Sequence, residues 1–155
     1  MAEKEHTYLE MNPVQVRNIL KHIDATQSEA VKDNIFTQLG HECFHAGAFA
    51  QWIEPYKENV QVLLDEINIE GKSPYWERLE FSEDRTMLIL TGKHVQGCAC
   101  AFADCSHPPL SLCQYCCKNF QQVLFGRLLG QTVEVTITES YLLGGERCST
   151  TIRLV

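Results

Sequence analysis

The sequence has few basic residues for its length. It has 13 Lys and Arg against 20 Asp and Glu in 155 residues, which gives a formal net charge of −7. Phosphate backbones and anionic membrane surfaces attract proteins through clustered Lys and Arg side chains. The composition therefore argues against nucleic acid as a partner.

Long apolar runs are also missing. No stretch of about 18 apolar residues, the length needed to cross a bilayer, occurs in the chain. Residues 1–6 are polar, and no apolar segment of the kind found in secretory signals follows them. We therefore expect no membrane span and a cytoplasmic location.

Internal repeats and low-complexity segments are absent as well. Apolar residues make up 45% of the chain and charged residues 21%, which are the proportions of a globular protein. A chain of 155 residues has the usual size of one domain. We predict a single domain over residues 1–155, with a flexible tail at 1–11 and a cysteine-rich loop and helix start at 97–117.

The hydrophobic periodicity changes along the chain from helical to strand-like. The predicted elements are, in order, helices over 13–24, 26–55 and 55–71, a hairpin over 77–90, a helix over 112–130 and a hairpin over 132–154. This order predicts an α+β fold in which helices pack on one face of an antiparallel sheet.

Cysteine is abundant, and six of the eight cysteines lie between residues 97 and 117. One or two buried thiols would be enough to fill a core. A reducing compartment disfavours disulfides, so free thiols at this density indicate a metal site or reactive thiols.

Four of these cysteines are the predicted metal ligands. Residues three or four apart share one face of a helix, so Cys113 and Cys116 can face the loop thiols Cys98 and Cys100. Four thiolates suit zinc or an iron–sulfur cluster. The spacing differs from that of standard zinc motifs, with one residue inside the first pair and 12 between the pairs. The reserve ligands are Cys105, His107 and Cys117.

The same thiols can also be interpreted as nucleophiles, because the amino terminus of a helix lowers the pKa of a thiol. Cys113, Cys116 and Cys117 lie at the start of a predicted helix. They are the catalytic candidates for a cysteine-dependent hydrolase of a small molecule, with a nearby histidine as base. Cys43 and Cys148 lie outside the dense stretch, and we expect them to pack as small apolar side chains.

The segment His41-Glu42-Cys43-Phe44-His45 matches the H-E-x-x-H pattern of zinc peptidases. On a helix, His41 and His45 would lie one turn apart as alternative metal ligands, with Glu42 as general base. The extended motif is missing, since Ala48 and Gln51 occupy the positions of its glycine and third histidine. A zinc peptidase is therefore the less favoured alternative to a pair of surface or partly buried histidines.

The last third of the chain, from Cys113 to the end, resembles the carboxy-terminal module of vinyl-4-reductase domains. The resemblance is carried by Phe125-Gly126-Arg127-Leu128-Leu129-Gly130-Gln131-Thr132-Val133-Glu134-Val135, Glu139-Ser140, Gly144-Gly145 and Cys148. In those domains a cysteine often occupies the position of Ser140. The ending is also similar to that of aminothiazoline-carboxylate hydrolases. Cys98-x-Cys100 with Pro108-Pro109 is similar to a group of uncharacterised bacterial cysteine-rich proteins.

The resemblance implies a vinyl-4-reductase-like fold, the ligand-binding fold shared by nitric-oxide-signalling domains and Golgi transport-particle subunits. Members of that family bind small apolar molecules in a pocket. The hypothesis is a small-molecule-binding or sensing module with a cysteine-rich metal or reactive-thiol site beside an apolar pocket. The sequence leaves open whether the chain is an enzyme and whether it forms a homodimer.

Overall fold

The computed structural model describes residues 12–94, 97–98 and 100–155. The predicted flexible tail at 1–11 lies outside the described residues, as does position 99 of the predicted cysteine-rich loop. The helices are α1 (Pro13–Thr26), α2 (Glu29–Ala46), α3 (Phe49–Ile53), α4 (Val60–Ile67) and α5 (Lys118–Leu129). The strands are β1 (Trp76–Phe81), β2 (Met87–Gly92), β3 (Val133–Glu139) and β4 (Ser149–Leu154). A π-helical turn, Leu112–Cys117, leads directly into α5.

The four strands form one antiparallel sheet in the order β1-β2-β4-β3. Each predicted hairpin pairs its own strands, and the contact between β2 and β4 joins the two hairpins, with Leu88 opposite Ile152. Buried and half-buried residues alternate along β2, which places Leu88 and Leu90 on the face covered by the helices. The predicted α+β fold class is confirmed.

The main core lies between this face of the sheet and the helices α4 and α5. Leu79 and Ile152 of the sheet pack with Leu64, Leu124 and Leu128 of the helices, and all five are 2% exposed or less. Burial of apolar surface stabilises a fold by about 25 cal/mol per Å². Within the described residues, no helix combines the length and the apolar composition needed to span a membrane.

A second, smaller core lies between α1, α2 and the cysteine-rich segment. Its buried members are Leu20 of α1, Phe36 of α2, Ala103, Leu112 and Cys116. The first two helices therefore pack on the segment that the sequence predicts as a loop. That segment supplies one side of a core.

The long helix predicted over 26–55 is wrong, because two helices separated by a break occupy this range. α2 ends at Ala46, and Ala48 has a left-handed backbone with φ of 55° before α3 begins. The break turns the ring of Phe49 towards Phe44, with centroids 6.3 Å apart, and towards Phe120, at 4.8 Å. Burial of this aromatic cluster offsets the unfavourable backbone at Ala48.

The helix α2 and the π-helical turn approach each other closely at Gly40. A Cβ atom at Gly40 would overlap the backbone carbonyl oxygen of Cys116. Because glycine has no side chain, the two helical segments can meet backbone to backbone at this point.

We predict that Gly40→Ala lowers the free energy of unfolding by about 1–3 kcal/mol, the usual effect of overpacking a core. Gly126→Ala is the matched control. A Cβ atom there would lie no closer than 3.4 Å to its neighbours, and alanine is favoured over glycine in a helix by about 1 kcal/mol. Urea denaturation measures both effects. Equal stability of the two variants would contradict the close approach at Gly40.

Candidate thiol site

Seven of the eight cysteines meet where the cysteine-rich segment packs against α2 and the start of β4. This thiol cluster consists of Cys43 of α2, Cys98 and Cys100 after β2, Cys113, Cys116 and Cys117 of the π-helical turn, and Cys148 before β4. All eight thiols are free. The remaining one, Cys105, lies outside the cluster, with its sulfur 3.9 Å from the carbonyl oxygen of Phe102.

Helix α1 holds the loop part of the cysteine-rich segment through two cationic side chains. Arg17 donates to the backbone carbonyl of Asp104, and Lys21 donates to that of Ser106 at 2.7 Å. Arg17 and Lys21 lie four residues apart, on one face of α1. The loop is therefore attached to α1 along a full helical turn.

Asp24, on the same face of α1, caps the start of the π-helical turn. Its carboxylate accepts hydrogen bonds from the backbone N–H of Leu110 at 3.2 Å and of Ser111 at 3.3 Å. It also accepts one from the buried Ser111 hydroxyl. These groups at a helix start have no partner within the helix itself, so Asp24 satisfies them from another element.

The π-helical turn directs its cysteines towards different neighbours. Its i to i+5 hydrogen bonds make each turn wider than that of an α-helix, and such turns are frequent at functional sites. Cys113 faces Cys98, whereas Cys116 faces Cys43. The turn thereby divides the cluster into two groups.

Cys98 is the centre of the first group. Its thiol hydrogen-bonds with the thiols of Cys113 and Cys148, and the Cys113 sulfur lies 2.9 Å from the Ser140 hydroxyl. The hydrogen bond with Cys98, supported by that with Ser140, lowers the pKa of Cys113 against the effect of burial. Hydrogen bonding raises the pKa of Cys98 and of Cys148. Cys113 is therefore the thiol of this group that ionises most readily.

Cys43 and Cys116 form the second group. The hydrogen bond between their thiols lowers the pKa of Cys43 to about 7 and raises the pKa of Cys116. Cys43 is half-buried on α2, whereas Cys116 is only 5% exposed. The group thus combines an accessible thiol that ionises near neutral pH with a buried thiol that stays protonated.

Cys100 and Cys117 complete the cluster. Burial raises the pKa of each to about 11. The amide of Gln121 donates a hydrogen bond to the Cys117 sulfur at 3.2 Å. The Oε1 atom of Gln121 is buried and has no hydrogen-bond partner among the described residues.

The Cys113 side of the cluster opens onto a surface cleft of about 260 Å³. Strand β3, at the edge of the sheet, contributes Val135, Thr136 and Ile137 to this cleft. The remaining lining residues are Gln114, Lys118 and Leu143. We call this the Cys113 cleft; its lining combines apolar side chains, one cationic side chain and a thiol whose pKa is lowered.

The four predicted metal ligands do not come together as one set. Cys98 and Cys113 are hydrogen-bonded, but Cys116 is paired with Cys43 because the π-helical turn directs it towards α2. Within residues 12–94, 97–98 and 100–155, no three His, Cys, Asp or Glu side chains are arranged to hold a metal ion. Metal binding by the cluster stays a prediction.

The three reserve ligands are also separated. Cys117 belongs to the cluster, whereas Cys105 lies outside it. His107 is exposed and has a left-handed backbone with φ of 56°.

The two histidines of the H-E-x-x-H pattern lie on α2, as predicted, but in different environments. His41 lines a second surface cleft of about 220 Å³, together with Asn119 and Gln122. His45 is exposed and contacts the Phe44 ring edge-on. In the part of the chain that the structure describes, no third metal ligand joins them.

Several residues of the site were missed by sequence reasoning. Cys43 does pack on the second core, as expected for a small apolar side chain, but its thiol also interacts with the thiol of Cys116. In the same way, the thiol of Cys148 interacts with that of Cys98. One usable signal was that Cys43 follows Gly40 on the same helix face, where another backbone can approach. A second was Ser140, which occupies the position of a cysteine in the domains that the sequence resembles.

We predict that Asp24→Ala lowers the free energy of unfolding by about 1–3 kcal/mol, because it leaves backbone N–H groups and the buried Ser111 hydroxyl without their acceptor. Asp33→Ala is the matched control, since the hydrogen bond that Asp33 accepts within the described part of the chain is a local one from Thr37, at 3.0 Å on the surface of α2. Urea denaturation compares the two variants. If Asp24→Ala lowers the free energy of unfolding no more than Asp33→Ala does, Asp24 does not act as a stabilising cap.

A pH dependence follows from the second group. Iodoacetamide alkylates the thiolate and not the thiol. The rate of alkylation of Cys43 should therefore rise with pH and reach half its maximum near pH 7. In Cys116→Ala the profile should move to higher pH, because the hydrogen bond that stabilises the Cys43 thiolate is lost. Iodoacetamide labelling with peptide mass spectrometry gives the profile, and Cys105→Ala is the control. An unshifted profile in Cys116→Ala would exclude this cause.

Comparison with known proteins yields limited similarity. No model of a known protein family matches the chain, and no curated protein matches it. The chain is similar in structure to a trafficking protein particle complex subunit 3 from Naegleria fowleri, solved covalently bound to palmitic acid. The TM-score is 0.48 and the identity 14%, over 93% of this chain and 97% of that chain. Membership of the vinyl-4-reductase family stays a prediction.

Proposed function

We propose that this protein is a small-molecule-binding or sensing module in which the Cys113 thiol is the reactive group. The observation that carries the proposal is the position of Cys113, which belongs to the thiol cluster and also lines the Cys113 cleft. A ligand in that cleft would contact the thiol directly.

The lining of the cleft indicates the class of ligand. Val135, Ile137 and Leu143 offer apolar contact, and Lys118 adds a positive charge. Pockets with mostly apolar walls and a few polar groups suit small organic molecules. The ligand we propose is a small apolar molecule that carries an electrophilic carbon or a negatively charged group.

The hydrogen bonds around Cys113 support a role for its thiolate. Cys98 and Ser140 lower its pKa although the side chain is only 4% exposed. A thiolate held by hydrogen-bond donors is the form that attacks electrophiles. Free thiols persist in reducing compartments, so we propose that the protein acts in the cytoplasm.

Binding is favoured here over hydrolysis. A cysteine-dependent hydrolase needs a base beside its nucleophile. In the described ranges, the hydrogen-bond partners of the cluster thiols are other thiols, Ser140, Gln121 and backbone groups. The hydrolase with Cys113, Cys116 or Cys117 as nucleophile stays the alternative prediction. A zinc peptidase that uses His41 and His45, and a homodimer, also stay predictions.

A metal-binding function is the second candidate. Cys98 neighbours both Cys113 and Cys148, and these three side chains would have to turn towards a common point to hold an ion, since no such group is arranged for one among the described residues. Thiolates of this kind would hold zinc or an iron–sulfur cluster. Elemental analysis of protein purified without added metal tests it. Stoichiometric zinc or iron that is lost in Cys148→Ala and retained in Cys105→Ala would establish the metal. A metal-free protein with all thiols titratable would reject it.

The reactive-thiol proposal predicts a preference of Cys113 for apolar reagents. We expect a long-chain N-alkyl maleimide to label Cys113 faster than iodoacetamide does, because its chain is buried against the cleft wall. Leu143→Lys should slow the maleimide reaction about tenfold, which corresponds to about 1.4 kcal/mol, and should leave the iodoacetamide rate unchanged. Rates are measured at Cys113 by peptide mass spectrometry.

The matched control is Ile69→Lys. Ile69 is 54% exposed and lies outside the cleft, whereas Leu143 is 55% exposed and lines it. Equal maleimide rates in the two variants, or no labelling of Cys113 in the folded protein, would reject the proposal.

A further inference from the structure

The second group of the thiol cluster is separate from the Cys113 cleft. Its two cysteines come from α2 and from the π-helical turn, and both pack in the second core. Neither Cys43 nor Cys116 is among the residues that line the cleft. The function proposed for Cys113 therefore makes no use of this pair.

We propose that Cys43 and Cys116 form a thiol–disulfide exchange site whose substrate is a small disulfide such as glutathione disulfide. In the oxidised state the two residues are joined by a disulfide that links α2 to the π-helical turn. The site is a dithiol in its reduced state, which is the state of the present structure.

The close approach of the two segments favours this bond. They are in backbone contact at Gly40, one turn before Cys43, and both cysteines pack in the second core. A disulfide requires the sulfurs to approach to about 2.05 Å and the Cβ atoms to about 3.8 Å.

The exposure of the two thiols assigns their roles. Cys43 is half-buried and can be reached by a small molecule, whereas Cys116 is buried in the second core and, unlike Cys113, does not line the Cys113 cleft. Exchange needs one thiol that meets the substrate and a second that is shielded from it and resolves the intermediate. Cys43 is the attacking thiol and Cys116 the resolving thiol.

The exchange is balanced in two steps. The Cys43 thiolate attacks one sulfur of the glutathione disulfide, the S–S bond breaks, and one glutathione leaves as a thiolate that takes up a proton. In the mixed disulfide Cys43 is no longer a thiolate, so the largest cause of the raised Cys116 pKa is removed. Cys116 then attacks the Cys43 sulfur and gives its proton to the second glutathione, which leaves as a thiol. The two cysteines lose two electrons and two protons, and the glutathione disulfide gains them.

The test uses the full-length reduced protein, incubated with glutathione disulfide without oxygen and mapped by mass spectrometry without reduction. The wild type should contain the Cys43–Cys116 disulfide. Cys116→Ala should lose this disulfide and accumulate glutathione on Cys43. Cys43→Ala should leave Cys116 unmodified. Cys105→Ser, at the cysteine outside the cluster, should behave as the wild type.

Three results would overturn the proposal: a disulfide between Cys43 and Cys100, oxidation confined to Cys98, Cys113 and Cys148, or oxidation of Cys116 in Cys43→Ala. The wild-type map requires no variant to fold, and cooperative urea unfolding shows whether Cys116→Ala is folded.

Cys113→Ser removes the thiol of the proposed function and should retain the Cys43–Cys116 disulfide. Loss of the disulfide in a folded Cys113→Ser protein would also count against an independent site.

Discussion

The attachment of the cysteine-rich segment to α1 is the constraint on which the rest of the site depends. Arg17 and Lys21 bind backbone carbonyls of the loop, and Asp24 caps the start of the π-helical turn. These three side chains follow one another along a single face of α1. Without them, the loop and the helical turn would be held together by their packing in the second core alone. With them, both are held against α2.

Sulfur has two roles in this protein, and hydrogen bonding separates them. Cys116 belongs to the second core, as a small apolar side chain would. Burial alone raises the pKa of a thiol, as at Cys100 and Cys117. Cys43 and Cys113 differ because hydrogen bonds with neighbouring thiols stabilise their thiolates. A cluster of similar side chains thereby contains two thiols that are suited to react and others that support them.

The π-helical turn explains how one short segment can contribute to two sites. Cys113 and Cys116 are three residues apart, and an ordinary α-helix would place them on one face. Here Cys113 faces Cys98 and the cleft beside β3, whereas Cys116 faces Cys43 on α2. The cleft and the Cys43–Cys116 pair therefore lie in different surroundings. Small-molecule binding and disulfide exchange can be tested separately for this reason.

Local patterns were sufficient to predict much of the fold. Alternation of apolar residues over 132–138 follows the two-residue repeat of a strand and predicted the second hairpin, whereas two strand-like runs joined by a polar turn predicted the first. The helical repeat predicted α1 and α5 in the same way. The break at Ala48 was missed, because it depends on the burial of Phe49 against Phe120, which is distant in sequence. The order of the strands could not be predicted from the sequence either, because the contact of β2 with β4 joins two hairpins that are separated by the cysteine-rich segment.

For the site, the sequence by itself determined which atoms are available: eight thiols, six of them between residues 97 and 117. It could not determine their partners, because hydrogen bonds between thiols depend on side-chain directions set by distant contacts. Cys43 and Cys148 show this most clearly, since each joins the cluster from a separate part of the chain. Tertiary structure decided that Cys113 and Cys116 separate. The physical reason is that Asp24, Gly40 and the π-helical turn fix the position and rotation of this segment against α1 and α2.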